Sequence, residues 1–160
     1  MSVLTIGAPP PAFNLLDQDG TPVAPEQFLG QWLVVYFYPK AATPGCTVQA
    51  CGLRDSFEQW SSLGVQVVGI STDLPAKLKK FSLAHHLPFR LLSDPTHETA
   101  EHYGVWALKK FMGKTFFGVV RTTFVIDPNG VLAAILGDFK TSTHQDILLA
   151  QIKQLQSSFE

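Results

Sequence analysis

Apolar positions cluster in this chain with two different rhythms, and the alternation between them predicts the fold. Residues 32–38 (WLVVYFY) and 65–71 (VQVVGIS) are short apolar runs rich in Val and aromatics. Runs of that length that hardly alternate with polar residues predict strands buried on both faces, as in a parallel sheet covered by helices. Between them, Val48, Leu53, Phe57, Trp60 and Leu63 recur at helical spacing. The segment from about 46 to 63 is therefore predicted as a helix with Gly64 as its C-cap. Strand, helix and strand form a βαβ unit, which makes the two strands parallel and the crossover right-handed.

Weaker signals fill in the rest. Pro9, Pro10 and Pro11 make a stiff lead-in that cannot be helix or central strand. Residues 13–16 (FNLL) read as a short strand ended by the turn signal Asp17-Gln18-Asp19-Gly20. Pro75 opens a helix that runs to about residue 86 and closes ahead of Pro88; 89–92 is a short strand, and 95–103 a short helix ended by Gly104. Residues 105–118 mix aromatics with Gly and Lys and read as an ordered loop. Residues 122–126 and 131–136 flank Asp127-Pro128-Asn129-Gly130, a strong hairpin signal. The last helix, about 144–156, carries Ile147, Leu148, Ile152 and Leu155 on one face. A βαβ half followed by a hairpin and a helix predicts a single α/β domain over 1–160. Its expected architecture is a thioredoxin-like fold, a central mixed sheet flanked by helices, with an N-terminal extension.

Composition narrows the partners. At 160 residues, 46% hydrophobic and 16% charged, the chain can build one core without disulfide staples or a structural metal. A formal charge of −1 and a pI of about 6.5 argue against a nucleic-acid or anionic-membrane partner. The densest basic group, Lys77, Lys79 and Lys80, reads as the wet face of a helix. The opening MSVLTIGAPPPAF lacks a basic n-region and a signal-sized apolar run, and no run approaches the ~20 residues of a membrane helix. The expectation is a soluble, cytoplasmic protein. Structural disulfides are rare in a reducing compartment, so Cys46 and Cys51, five positions apart, are expected to do chemistry.

The informative stretch is 39–55, PKAATPGCTVQACGLRD. A cysteine that reduces peroxide must ionise, be reachable by a small oxidant, and have the departing hydroxide stabilised. Cys46 follows a Pro- and Gly-bearing loop at a predicted helix start, where unpaired N–H groups and the helix dipole favour a negative sulfur. Ionising an ordinary thiol fully at pH 7 gains only about thirty-fold, or ~2 kcal/mol. Alignment of the peroxide must supply the rest. Thr43 can bring a hydroxyl beside the sulfur, and Arg121, opening the run RTTFVID, is the candidate cation because it never loses its charge.

TPGCTVQACGLRD after VVYFYP, with RTTFVID and DPNG downstream, resembles the peroxiredoxin family, and more narrowly its bacterioferritin comigratory protein (PrxQ-type) subgroup. The similarity runs from GAPPPAF through VGISTD and LLSD to the last helix. The resemblance implies a peroxidatic Cys46, a resolving Cys51, peroxide held by Thr43 and Arg121, and a pocket shielded by Pro39. It implies hydrogen peroxide and organic hydroperoxides as substrates. Two departures stand out: Gln49 and Leu53 occupy positions where many relatives carry Glu and an aromatic.

Five residues apart in an ideal helix, two Cα atoms lie roughly 8.6 Å apart, whereas a disulfide needs about 7 Å or less. Cys46 and Cys51 therefore cannot bridge inside one intact helix. Its first turns must unwind, a transition that Gly45 and Gly52 would ease. With no third cysteine and no cofactor motif, reduction is expected from thioredoxin or a similar dithiol protein. A monomer is expected, since no amphipathic arm argues for assembly.

Plainer roles compete. Cys51 alone reads as a core thiol, Thr43 as a helix cap, and Arg121 as a surface charge. The motif favours the functional reading of each. The HExxxH run at 97–102 places its imidazoles about 140° apart on a helix, which argues against a metal site. Trp32, Trp60 and Trp106 are expected in or near the core, Trp106 with the option of rimming the site. Phe111, Phe116 and Phe117 are read as packing rather than as an apolar approach for organic peroxides. A thiol–disulfide oxidoreductase and a non-enzymatic redox sensor are the competing functions. The first lacks its usual C-x-x-C pair, and only a peroxidase consumes peroxide catalytically.

Overall fold

The computed structural model describes residues 4–159; the ends of the expected 1–160 domain lie outside the described residues. Strand β3 (Trp32–Phe37) forms the centre, every residue of it buried. It pairs in parallel with β4 (Val65–Ser71) and antiparallel with β8 (Thr122–Ile126). Beyond β4 lie β5 (Arg90–Ser93), β1 (Leu15–Asp17) and β2 (Pro22–Val23), and beyond β8 lies β9 (Leu132–Leu136). The result is the expected mixed sheet, in the order β2-β1-β5-β4-β3-β8-β9.

The side-chain period of two divides the core between the sheet's faces. Trp32, Val34 and Tyr36 share one cluster with Cys46, Ala50, Leu53, Trp60, Leu78, Leu148 and Ile152. These residues come from α1 (Pro44–Asp55), α2 (Phe57–Ser62), α3 (Pro75–His85) and α5 (His144–Ser158). Leu33, Val35 and Phe37 face the other way, toward Phe13, Val23, Phe124, and Ala100 of α4 (Glu98–His102). Tyr103 closes that face, its hydroxyl donating to the carbonyl of Pro11 at 2.7 Å, which pins the proline lead-in. Across the β3–β4 pair Tyr36 lies opposite Gly69, where a Cβ would come 2.7 Å from the phenol ring. A bare glycine there makes room for Tyr36.

Three expectations are corrected. The segment 46–63 is two helices, broken at Ser56, whose hydroxyl donates back to the carbonyl of Gly52 at 3.0 Å and bends the chain. The buried face of α1 is Cys46, Gln49, Ala50 and Leu53, while Val48 and Phe57 are exposed. In α5, Leu148 and Ile152 are buried as expected, but Ile147 is exposed and His144 takes an inward position.

The third correction is the largest. Residues 105–118 contain β6 (Trp106–Phe111), which continues through Met112-Gly113 into β7 (Lys114–Val119), a separate antiparallel hairpin. Both turn residues have positive φ, 51° and 79°, the backbone of a tight turn whose twist suits a hairpin. The sequence hid it because the hairpin stands off the main sheet and no face of it is uniformly apolar: Leu108, Phe111, Met112, Phe116 and Phe117 are all exposed. The Phe residues read as packing are not core residues.

Candidate functional site

The site is assembled where β3 ends. Tyr38 N–H still donates to the carbonyl of Ile70 at 3.1 Å, and then Pro39 stops the pairing. The following loop is tied down by a buried carboxylate: Asp73 Oδ2 accepts from Ala41 N–H at 2.7 Å and from Ser71 Oγ at 2.8 Å. Lys77 Nζ lies 3.4 Å from its other oxygen. Ala42 takes a left-handed φ of 67°, reversing the chain so that Thr43 becomes the N-cap of α1 and Pro44 its first residue. Proline is favoured there because its missing N–H has no helical partner to lose.

Cys46 is the third residue of α1, in the first turn as expected, but it is only 1% exposed. The sulfur is thus covered rather than open to solvent. Arg121, immediately before β8, sends Nη2 to 3.4 Å from Cys46 Sγ. A guanidinium at that distance stabilises a thiolate and can meet the oxygens of a bound peroxide.

Thr43 lies close in sequence, but its side chain makes no cap hydrogen bond. Its hydroxyl donates to the carbonyl of Lys40 at 2.7 Å. With its proton so committed, the oxygen retains only acceptor capacity. Thr43 thus holds the N-cap position without the side-chain bond that a capping role would use. Pro39 is half-buried and lines a cavity of about 270 Å³ with Lys40, Trp106, Lys109, Phe116 and Phe117. Cys46 is not among the residues that line it.

Gln49, noted from sequence as a departure from relatives, and His144 and Thr123, which sequence reasoning missed, complete the site. The other guanidinium nitrogen of Arg121, Nη1, donates to Oε1 of Gln49. Gln49 Nε2 then meets Nδ1 of His144 at 3.3 Å, and His144 Nε2 lies 2.9 Å from Thr123 Oγ1. Gln49 and His144 are fully buried, the imidazole boxed by Phe139 at 4.4 Å. Burial, with the charge of Arg121 added, pushes the His144 pKa down to about 4. The imidazole is neutral at working pH, and it can accept from the Gln49 amide. Burial foremost also raises the Tyr36 phenol well above its usual range, so it stays neutral beneath Cys46 and Arg121.

A second cation stands nearby. Lys109, on β6, donates to the carbonyl of Val119 at 3.0 Å. Burial, then the charge of Arg121, lower its pKa, while Cys46 acts in the opposite sense. The signal for His144 was its place one residue inside a helix start. For Lys109 there was none once the hairpin had been read as a loop.

Cys51 lies five residues after Cys46 in the same unbroken α1, and both are free thiols. It is half-buried, with His85 Nδ1 at 3.9 Å from its sulfur. His97 stacks on Trp106 with ring centroids 4.0 Å apart and Nδ1 3.2 Å from Glu101. Among the described residues no group of three His, Cys, Asp or Glu side chains is placed to hold a metal, and no helix is long and apolar enough to cross a membrane.

Residues 6–135 match the AhpC/TSA family. Peroxiredoxin Bcp of Escherichia coli K12 is 51% identical over 154 residues, covering 96% of this chain and 99% of its own. Among solved structures, the Xanthomonas campestris bacterioferritin comigratory protein, studied as trapped-intermediate and ligand complexes for its alkyl peroxide reduction, superposes with a TM-score of 0.84 at 30% identity. That match covers 89% of this chain and 90% of the other. Peroxidoxin BcpB of Mycobacterium tuberculosis gives 0.83 at 35% identity, over 95% and 98% of the two chains. By sequence and by fold, the chain belongs to the AhpC/TSA family, among the peroxiredoxins that resemble bacterioferritin comigratory protein.

Proposed function

We infer that this chain is a thiol peroxidase that acts through Cys46 and Cys51. The observation that carries the reading is the Arg121 guanidinium 3.4 Å from a cysteine sulfur in the first turn of a helix. In the first step the Cys46 thiolate attacks one peroxide oxygen, the O–O bond breaks, and the sulfur becomes a sulfenic acid. Arg121 stabilises the negative charge passing to the departing oxygen, which leaves as water or an alcohol once protonated. Thr43 Oγ1, its proton already given to Lys40, accepts from the peroxide O–H and sets its direction. Pro39 walls the approach.

Cys51 then attacks the sulfenic sulfur, releasing water and leaving an intramolecular disulfide. A dithiol protein of the thioredoxin kind reduces it by exchange. Pro39, Trp106, Phe116 and Phe117 give the neighbouring cavity an apolar wall for the carbon chain of an organic hydroperoxide, alongside the polar Lys40, Asp73 and Lys109.

Peroxide-dependent NADPH oxidation, coupled through thioredoxin and its reductase, tests the scheme. Cys46→Ser should abolish turnover, because an alcohol is a far weaker nucleophile than a thiolate. Cys51→Ser should keep the first reaction, leave a trappable sulfenic acid on Cys46, and lose most thioredoxin-supported turnover. Normal turnover in Cys46→Ser would overturn the assignment.

A further inference from the structure

The resolving step asks something of Cys51 that its position in the helix does not provide. Cys46 has the first turn of α1 and a guanidinium beside it; Cys51 sits about a turn and a half further in, away from the free N–H groups. Yet the nucleophile in that step must be its thiolate. The group in contact with its sulfur is His85, Nδ1 at 3.9 Å, from the last turn of α3.

His85 is held there by several independent contacts. Its ring packs edge-on against Phe81, centroids 5.2 Å apart. Its carbonyl accepts from Arg54 Nη1 at 2.9 Å, tying the end of α3 to the residue three positions after Cys51. Past it, His86 takes a left-handed φ of 51°, and Leu87 N–H returns to the carbonyl of Ser82 at 3.0 Å, closing the helix end. The ring is half-buried, and a proton it accepts can reach solvent. Arg54 and Asp55 pair at 3.0 Å, so the neighbouring guanidinium is already engaged.

Leu53 and Arg54 anchor the C-terminal half of α1, through full burial and through the bond to His85. When the first turns of α1 unwind, it is Cys46 that travels while Cys51 stays at the edge of the anchored half. His85 then remains beside the attacking sulfur.

We propose that His85 is the general base of the resolving step. This rests on the reading of Cys51 as the resolving thiol. As the Cys51 sulfur forms its bond to the Cys46 sulfur, its proton passes to His85 Nδ1. The S–O bond of the sulfenic acid breaks and hydroxide leaves, taking a proton back from the imidazolium or from solvent to become water. The Cys51 sulfur is oxidised and the Cys46 sulfur reduced by the same pair of electrons. No further reactant is required.

The test is rapid mixing of the reduced protein with hydrogen peroxide, quenched at intervals, with sulfenic and disulfide forms counted by mass spectrometry. In His85→Ala, conversion of sulfenic acid to disulfide should slow about tenfold or more, while the preceding oxidation of Cys46 does not. Added imidazole should restore much of the lost rate in His85→Ala and leave the native chain unchanged. His85→Gln, which can hydrogen-bond but not carry a proton away, should stay slow. Native-rate disulfide formation in either variant, or failure of imidazole to restore His85→Ala, overturns the proposal. The underlying reading fails separately: if Cys51→Ser forms no lasting sulfenic acid and turns over normally with thioredoxin, Cys51 is not the resolving partner.

Discussion

Gln49 and His144 meet in the interior, 95 residues apart in sequence, with the amide nitrogen 3.3 Å from Nδ1 of the ring. The contact orients the whole site. Because Gln49 Oε1 accepts from Arg121, its NH₂ must face His144, so Nδ1 is the acceptor and the ring proton resides on Nε2, toward Thr123. A neutral amide thus links a permanent cation to a neutral imidazole. A glutamate at 49 would instead require Nδ1 to carry a proton.

Replacing Gln49 with Leu should separate these roles. Arg121 loses the acceptor that fixes its second nitrogen, and His144 Nδ1 is left buried without a partner. The rate of Cys46 oxidation is expected to fall about tenfold, with stability lower by about 1–3 kcal/mol. Stopped-flow kinetics and urea unfolding measure the two effects. A variant with the native oxidation rate would show that Arg121 holds its place without Gln49.

Arg121→Met tests the charge itself. Methionine approximates the aliphatic stem and lacks the guanidinium, so the peroxide reaction should slow roughly hundred-fold, as for loss of a preorganised donor at a developing negative charge. Circular dichroism should be unchanged. An unaltered second-order rate constant would make Arg121 structural.

The His144 ring predicts how stability depends on pH. Unfolded, it takes a proton near pH 6.5; folded, only near pH 4. Between those values the unfolded chain binds more protons, so the contribution is full above about pH 6.5, falls as pH drops, and levels off below about 4. The span corresponds to about 3 kcal/mol. Urea unfolding between pH 7 and 4.5 should show this slope, and His144→Asn should flatten it. Equal slopes in the two proteins would mean that other groups govern acid sensitivity.

Disulfide formation should open α1. Both cysteines lie in one continuous helix, where ideal geometry separates their Cα atoms by roughly 8.6 Å against a limit of about 7 Å. Amide exchange over 43–54 should be faster in the oxidised form than in the reduced one. Gly52 tunes the cost. A Cβ there would meet only the end of the Gln145 side chain, and that end can swing away. Gly52→Ala should then stiffen α1 by about 0.5–1 kcal/mol and slow disulfide formation a few-fold. Identical exchange in both redox states would mean that the bond forms without unwinding.

Much of this molecule was readable from local pattern. Residues 65–71 were expected as a strand and are β4; Asp127-Pro128-Asn129-Gly130 was expected to join two strands and does join β8 to β9. The helix carrying both cysteines was expected and is present, beginning two residues earlier at Pro44. These elements announce themselves through short-range causes: burial on both faces, turn chemistry, and a proline at a helix start. The β6–β7 hairpin went unread because it has no uniformly apolar face to impose a period on the residues. The break at Ser56 depends on a single side-chain hydrogen bond, which leaves no periodic trace.

What the sequence by itself determined is the sheet's parallel core, the family resemblance, and the placing of Cys46 in the first turn of a helix; all depend on neighbours within a few residues. What only the tertiary structure decided is which distant groups those cysteines meet. Arg121 was singled out from sequence, but its distance to sulfur follows from the antiparallel pairing of β8 with β3. Gln49, His144 and Thr123 become one chain of hydrogen bonds because α1 and α5 pack together on the face of the sheet that carries Thr123 of β8. His85 reaches Cys51 because α3 ends against α1. A polar side chain contributes nothing to a hydrophobic period, so its partners are fixed by packing.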